Sequence, residues 1–267
     1  MSVLSIITIC YNDKNGLELT IKSVAEQWVA DVEYIVIDGG SHDGTLEIIK
    51  NYEKYIAYWV SEPDRGIYDA MNKGVGCSHG QWIWFLNAGD YLEPGAIEAV
   101  LREIRSLENG VGGFYGKMRM FGPDIDYVID KRNLQNNKQM VTFSHLATIV
   151  NRCVFNEIGC FDDQLRICSD YDFFVRAVRR NVDFRYIDAT LVNMRLGGVS
   201  DSPKYHIRRL IERYKVDQKH YGEIKALLNF FYNLLSRSAR AAIKMALMSM
   251  GRMDLLQHYY DRKYVHN

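Results

Sequence analysis

Proline is scarce, with 4 in 267 residues, and there is no low-complexity tract, which excludes a disordered or linker-dominated chain. The 5 cysteines, Cys10, Cys77, Cys153, Cys160 and Cys168, form no CxxC pair and no Cys/His ladder at zinc spacing. An odd count without such spacing reads as reduced thiols rather than a disulfide framework, and predicts a cytoplasmic protein. No run reaches about 18 uncharged apolar residues, so no membrane-spanning helix is expected. The apolar start at residues 3–10 is too short for a signal peptide and lacks a basic leader. Neither GxGxxG after the first strand nor GxxxxGK[ST] occurs, which counts against dinucleotide-dependent and P-loop enzymes.

What is present is ordinary globular material, 48% apolar and 25% charged, enough to bury a substantial core. Lys plus Arg and Asp plus Glu both number 33, yet from Lys204 onward there are 13 basic and 5 acidic residues. The body is therefore acidic and the tail basic. Short β-rich runs at residues 4–9, 34–38, 57–61 and 82–86 alternate with helical spacing at 16–27, 45–52 and 68–75. That rhythm predicts an α/β fold with parallel strands and crossover helices. A helix is expected at 94–107, a strand pair within 111–133 turning at Phe121, Gly122 and Pro123, and then a mobile Asn/Gln/Lys-rich loop. Helices at 151–158 and 171–179 and a strand at 182–192 follow, before a flexible glycine junction at 197–203. Residues 1–203 read as one catalytic domain and 204–267 as a helical extension, with breaks expected between 205–225 and 226–250.

In parallel sheets ligands bind beyond the C-terminal ends of the strands, and here all four ends are polar. Tyr11 and Asn12 follow the first strand. Asp38 opens the glycine-rich turn Asp38-Gly39-Gly40-Ser41-His42-Asp43-Gly44-Thr45, where glycines admit a ligand to the backbone. Ser41 or Asp43 also suits a helix cap, which accounts for Asp43 but not Asp38. After the third strand come Arg65, Asn72 and Lys73, with two cations for phosphate, although surface cations are more often merely solvated. Asn87-Ala88-Gly89-Asp90 leaves the fourth strand, where a carboxylate and an amide oxygen suit Mg²⁺ or Mn²⁺. A lone Asp after Gly is more often a turn residue.

Taken together, Thr8-Ile9-Cys10-Tyr11-Asn12, Ile37-Asp38-Gly39-Gly40-Ser41, residues 62–74 (EPDRGIYDAMNKG) and Phe85-Leu86-Asn87-Ala88-Gly89-Asp90 resemble the family 2 glycosyltransferases of the GT-A fold. The form of the last block is similar to the branch that builds bacterial surface polysaccharides, including colanic-acid-type enzymes. The resemblance implies that Thr8, Asp38 and Arg65 contact the nucleotide of a nucleotide-sugar donor, with UDP the expected base carrier. It also implies that Asp90 binds the divalent cation bridging the diphosphate. Where many members carry an acidic DxD, this chain has Asn87 and Gly89, which leaves Asp90 as the only carboxylate there. That departure keeps open a non-catalytic sugar-nucleotide-binding or scaffold protein with a decayed site.

Further on, Phe143-Ser144-His145, residues 157–163 and Ser169-Asp170-Tyr171-Asp172 extend the resemblance. Asp170 is implied to be the base that deprotonates the acceptor hydroxyl in an inverting displacement, beside Tyr171, Phe173 and Phe174, which can desolvate it and raise its pKa. Without the resemblance a helix cap explains Asp170 equally well. His145, Asp172 and Arg195 are expected as acceptor-side or supporting residues, with Arg195 leading into a glycine loop able to close on the donor.

In the tail, Leu227, Leu228, Phe230, Phe231, Leu234 and Leu235 form an apolar band, with Arg237, Arg240 and Lys244 recurring at helical intervals. This is the pattern of a helix lying on an anionic membrane. Residues 226–250 are thus expected at the inner face of the plasma membrane, near a saccharide or lipid-linked acceptor. Packing on the catalytic domain or on a second copy, giving a homo-oligomer, explains the band as well. No nucleic-acid motif accompanies the charge, so nucleic acid is not expected as a partner.

Overall fold

A computed structural model of the chain describes residues 2–107, 110–122, 125–132, 144–196 and 205–252, with backbone alone at 125, 237–245, 247 and 248. The expected Asn/Gln/Lys loop and glycine junction lie outside the described residues for most of their length. Nine strands form one sheet in the order β3-β2-β1-β4-β8-β6-β9-β5, with β7 beside β6. The parallel part is β1 (Leu4–Cys10), β2 (Val32–Asp38), β3 (Tyr58–Ser61) and β4 (Trp82–Asn87). Every residue of β1 and β2 is buried, as expected of strands covered on both faces.

Alternation divides the core. Leu4, Ile6, Tyr34 and Val36 face α1 (Lys14–Ala25), α2 (Thr45–Asn51) and α4 (Ala96–Arg105). Ile7, Ile9, Ile35 and Ile37 face α3 (Ile67–Cys77), α5 (Arg152–Ile158) and α6 (Ser169–Arg179). On the α3 side Gly74 is required, because a Cβ there would sit 2.4 Å from the Ile7 side chain and push the helix off the sheet.

The second half of the sheet is antiparallel where it joins the first. β8 (Thr148–Asn151) runs against β4, and β6 (Gly113–Gly122) against β8. β6 turns into β7 (Ile125–Ile129) and lies parallel to β9 (Phe184–Arg195), which pairs with β5 (Tyr91–Leu92). The strand pair around residues 121–123 is thus present. β5 and β8, of 2 and 4 residues, are too short to show a period and were not expected.

The tail forms two helices, α7 (His206–Tyr221) and α8 (Glu223–Ser249), divided at Gly222, whose φ of 83° only glycine adopts at little cost. Leu210 and Val216 of α7 are buried, and Val216 joins the core beneath α6. Among the described residues no helix is long and apolar enough to cross a membrane.

Candidate active site

The loops after β1 and β2 lock together. Asn12 is held in the left-handed region at φ 48°, its amide donating to Ser41 Oγ at 2.7 Å and its Oδ1 accepting the His42 amide at 2.9 Å. Asp38 accepts from the Ser41 amide at 2.9 Å and from the hydroxyls of Ser41 and Ser61, both at 2.5 Å. With no exposed surface, Asp38 organises the turn from beneath instead of presenting its carboxylate. Thr8 is likewise enclosed, accepting the Tyr34 hydroxyl at 2.9 Å. Two of the three residues expected to touch the nucleotide, Thr8 and Asp38, lie under the surface, because they sit in strands covered on both faces. Tyr11 is open, 63% exposed. At Gly39 a Cβ would stand 2.5 Å from Asp64 Oδ2 and 3.3 Å from the Tyr11 ring, so glycine keeps this wall flat.

Beyond β3, Arg65 ion-pairs with Asp69 at 2.8 Å and Asp163 at 2.5 Å while its side chain stays largely exposed. Lys73 pairs with Glu62 at 2.8 Å and donates to the Pro63 carbonyl at 3.3 Å. Asn72 departs from expectation. Its amide donates to the Phe161 carbonyl at 2.9 Å and its Oδ1 accepts the Phe161 amide at 3.0 Å, so both ends of the side chain are spent on pinning the loop before α6.

At the exit of β4, Asp90 is buried, and burial pushes its carboxyl up to about 7 against the opposing pull of the Arg195 amide and His145. The Arg195 amide donates to Asp90 Oδ1 at 3.2 Å, so it is the backbone of Arg195 that meets the site. Asn87 turns its Nδ2 toward His145 Nε2 at 3.2 Å, and its Oδ1 is buried with no hydrogen-bond partner. A buried amide oxygen left unpaired is costly, and the amide and carboxylate oxygens that Asn87 and Asp90 offer at the β4 exit are the ligand type a hard divalent cation takes. Among the described residues no group of three or more His, Cys, Asp or Glu side chains is placed to hold a metal ion.

His145 connects the β4 exit to Asp170, its Nδ1 lying 3.2 Å from Asp170 Oδ2. Asp170 also accepts the Tyr68 hydroxyl at 3.0 Å and the Tyr171 amide at 2.8 Å, and its side chain keeps 24% of its surface exposed. Burial alone would raise this carboxyl, but the bonds from His145, the Tyr171 amide and Tyr68 outweigh it and hold the group below the ordinary carboxylate range. The expectation of a raised pKa is thus reversed: the aromatic neighbours bring hydrogen-bond donors along with apolar surface. Tyr68, which was not among the expected site residues, donates its hydroxyl to Asp170.

Asp172 belongs elsewhere. Two residues on along α6, it is buried and bound by Arg176 at 2.7 Å, His220 at 2.8 Å and Lys219 at 3.3 Å, clamping α7 onto α6.

The loops after β1 to β4 thus gather polar side chains at the C-terminal ends of the parallel strands, with Asp90 buried at the β4 exit and Asp170 linked to that exit through His145 and Asn87. The family model "Glycosyl transferase family 2" matches residues 5–154, more than half of the chain, and the protein belongs to that family. It is 35% identical over 184 residues to an uncharacterized glycosyltransferase of Mycobacterium tuberculosis, covering 65% of this chain and 68% of that one. Among solved structures it resembles S. aureus TarS residues 1–349 in complex with UDP-GlcNAc, with a TM-score of 0.67 and 18% identity over 83% of this chain and 66% of that one. It also resembles a mannosyltransferase of Pyrobaculum calidifontis in complex with GDP-Man and Mn²⁺, with a TM-score of 0.60 and 15% identity over 98% of this chain and 83% of that one. The fold is GT-A and the protein is a glycosyltransferase.

Proposed function

We propose that the chain transfers a sugar from a nucleotide-diphosphate donor, most simply a UDP-sugar, to a saccharide hydroxyl with inversion at the anomeric carbon. The product would belong to a bacterial cell-surface polysaccharide. The observation that carries this reading is Asp170, a partly open carboxyl bonded by Tyr68, His145 and the Tyr171 amide and linked through His145 to the β4 exit. The acceptor oxygen attacks the anomeric carbon as the bond to the diphosphate breaks, and its proton passes to Asp170. Because the leaving group departs as a diphosphate, one carboxylate base is enough and no general acid is required. Asp90 and Asn87 would hold a divalent cation, Mn²⁺ or Mg²⁺, which when bound supplies positive charge to the diphosphate. Tyr11, Asn12, Arg65 and Lys73 border the donor side. Thr8, Asp38 and Asn72 act by holding its loops.

Turnover against a panel of UDP- and GDP-sugars with Mn²⁺, comparing the wild type with Asp170→Asn, tests the reading. Sugar release lost in the variant while donor binding persists supports it. A second reading, a sugar-nucleotide-binding scaffold, rests on Asn87 and Gly89 standing where many members of the family carry acids. Donor binding without turnover in the wild type would establish it.

We also propose that α8 rests on the anionic inner face of the plasma membrane, close to a lipid-linked acceptor. Ile224, Leu227, Leu228, Phe231 and Leu235 recur at helical spacing and are exposed, Leu228 by 66% and Leu235 by 68%. Ala226 and Phe230 face the other way, Ala226 buried and Phe230 against Tyr214 of α7. The cations of the tail suit an acidic lipid surface.

A further inference from the structure

The loop at residues 159–168, just before α6, is tied to the donor side by four contacts. These are Asn72 to Phe161, Arg65 to Asp163, Arg166 Nη1 to the Arg65 carbonyl, and the Tyr68 hydroxyl to the Ile167 carbonyl at 2.9 Å. Its last residues have no cap of their own. Cys168 stands at the N-cap of α6, and its side chain bonds none of the first-turn amides. The thiol points instead at the Arg209 carbonyl on α7, 3.6 Å away.

The acceptor for the last amides of the loop, ahead of the helix, comes from α7. Glu212 is buried, and its carboxylate accepts three consecutive amides: Arg166 at 3.1 Å through Oε1, and Ile167 at 2.8 Å and Cys168 at 3.1 Å through Oε2. A buried carboxylate costs several kcal/mol unless its oxygens are bonded, so three amide donors and Arg208 at 3.6 Å account for its place. The amides it holds end two residues before Asp170.

We infer that Glu212 is a positioning residue for Asp170: α7, which lies beyond the family-matched segment, fixes the backbone that aims the base. The inference deepens the proposed transfer reaction and rests on it for its kinetic consequence. Glu212 touches no substrate. Without its carboxylate the three amides lose their acceptor and the first turn of α6 is free to tilt. Asp170 then leaves the geometry in which Tyr68, His145 and the Tyr171 amide all reach it.

The test uses the full-length protein with Glu212→Gln, which keeps the shape but turns an NH₂ toward amide donors. Asp217→Asn serves as the comparison, since it weakens α7 docking at a different place, where Asp217 accepts the Tyr171 hydroxyl at 2.6 Å. One readout is kcat and donor KM for the UDP-sugar that the wild type turns over. The other is titration of the Asp170 carboxyl by carbon NMR. Glu212→Gln is expected to lower kcat at least tenfold with donor KM changed less than threefold, and to move the Asp170 midpoint up toward the ordinary carboxylate value. Asp217→Asn is expected to change neither by as much. If Glu212→Gln does not fold, Glu212→Asp, which retracts the carboxylate by one methylene, is expected to show the same pattern more weakly.

An unchanged Asp170 midpoint, or equal kcat losses in both variants, overturns the inference. If the wild type turns over no donor, the transfer reading fails on its own terms, and the titration still decides whether Glu212 positions Asp170.

Discussion

His145 stands between Asn87 and Asp170, one ring nitrogen 3.2 Å from each. A carboxylate facing Nδ1 accepts from it, so the ring donates to Asp170 while Asn87 holds its other edge, and the residue at the β4 exit thereby orients the ring that faces Asp170. Replacing His145 by Ala therefore removes a donor from Asp170 and a partner from Asn87 together. The expected result is a kcat about 10- to 100-fold lower with little change in donor affinity, read from steady-state kinetics and calorimetric UDP binding.

Tyr68→Phe removes one hydroxyl. Its single proton is shared between Asp170 Oδ1 and the Ile167 carbonyl, so its loss should cost about 1–2 kcal/mol of stability and raise the Asp170 midpoint. Denaturant unfolding and the Asp170 titration measure both.

Asn72→Ala should behave as a loop mutation. Two hydrogen bonds to Phe161 disappear, and the two backbone groups they served lose their partner. A loss of about 2–3 kcal/mol is expected, with UDP affinity at a temperature well below unfolding nearly unchanged. A specific loss of UDP affinity in a fully stable variant would return Asn72 to the donor site.

Asp90 predicts a pH dependence of stability in metal-free protein. Its carboxyl moves from 3.8 to about 7 on folding, so the folded state binds the proton more tightly than the unfolded one. Stability is then greatest at or below the unfolded value and falls as pH rises from about 4 through 7, by at most about 4 kcal/mol. Asp90→Asn should flatten that slope. Mn²⁺ should raise the melting temperature more at pH 8 than at pH 6, since protons compete for the same carboxylate.

On α8, Leu228→Ser with Phe231→Ser should abolish pelleting with anionic liposomes while leaving turnover of soluble substrates intact. Sedimentation with phosphatidylserine vesicles measures the first and a release assay the second. Loss of a dimer in solution with pelleting unchanged would assign the band to a second copy instead.

The sequence showed some of this more clearly than the rest. β1, β2 and β4 were legible because each is an unbroken apolar run ending in a polar turn, and Asp170 stood out by its motif. The partners of polar side chains were not legible. Asn72 meets Phe161, 89 residues away, and Asp172 meets His220, 48 residues away, and neither pairing leaves a local pattern. Asp38 drew attention by position and Thr8 by the family resemblance, yet β2 and β1 are covered on both faces right to their ends, so their side chains turn inward. Glu212 carried no signal at all, because an acid on an amphipathic helix looks solvated until a loop closes over it.

The most direct measurement is the anomeric configuration of the product that the wild type forms from a defined UDP-sugar, followed by NMR during turnover, alongside Asp170→Asn. The expected result is an inverted linkage, with turnover about 10²- to 10⁴-fold lower in Asp170→Asn and donor binding preserved. A retained configuration, or undiminished turnover in Asp170→Asn, would contradict it.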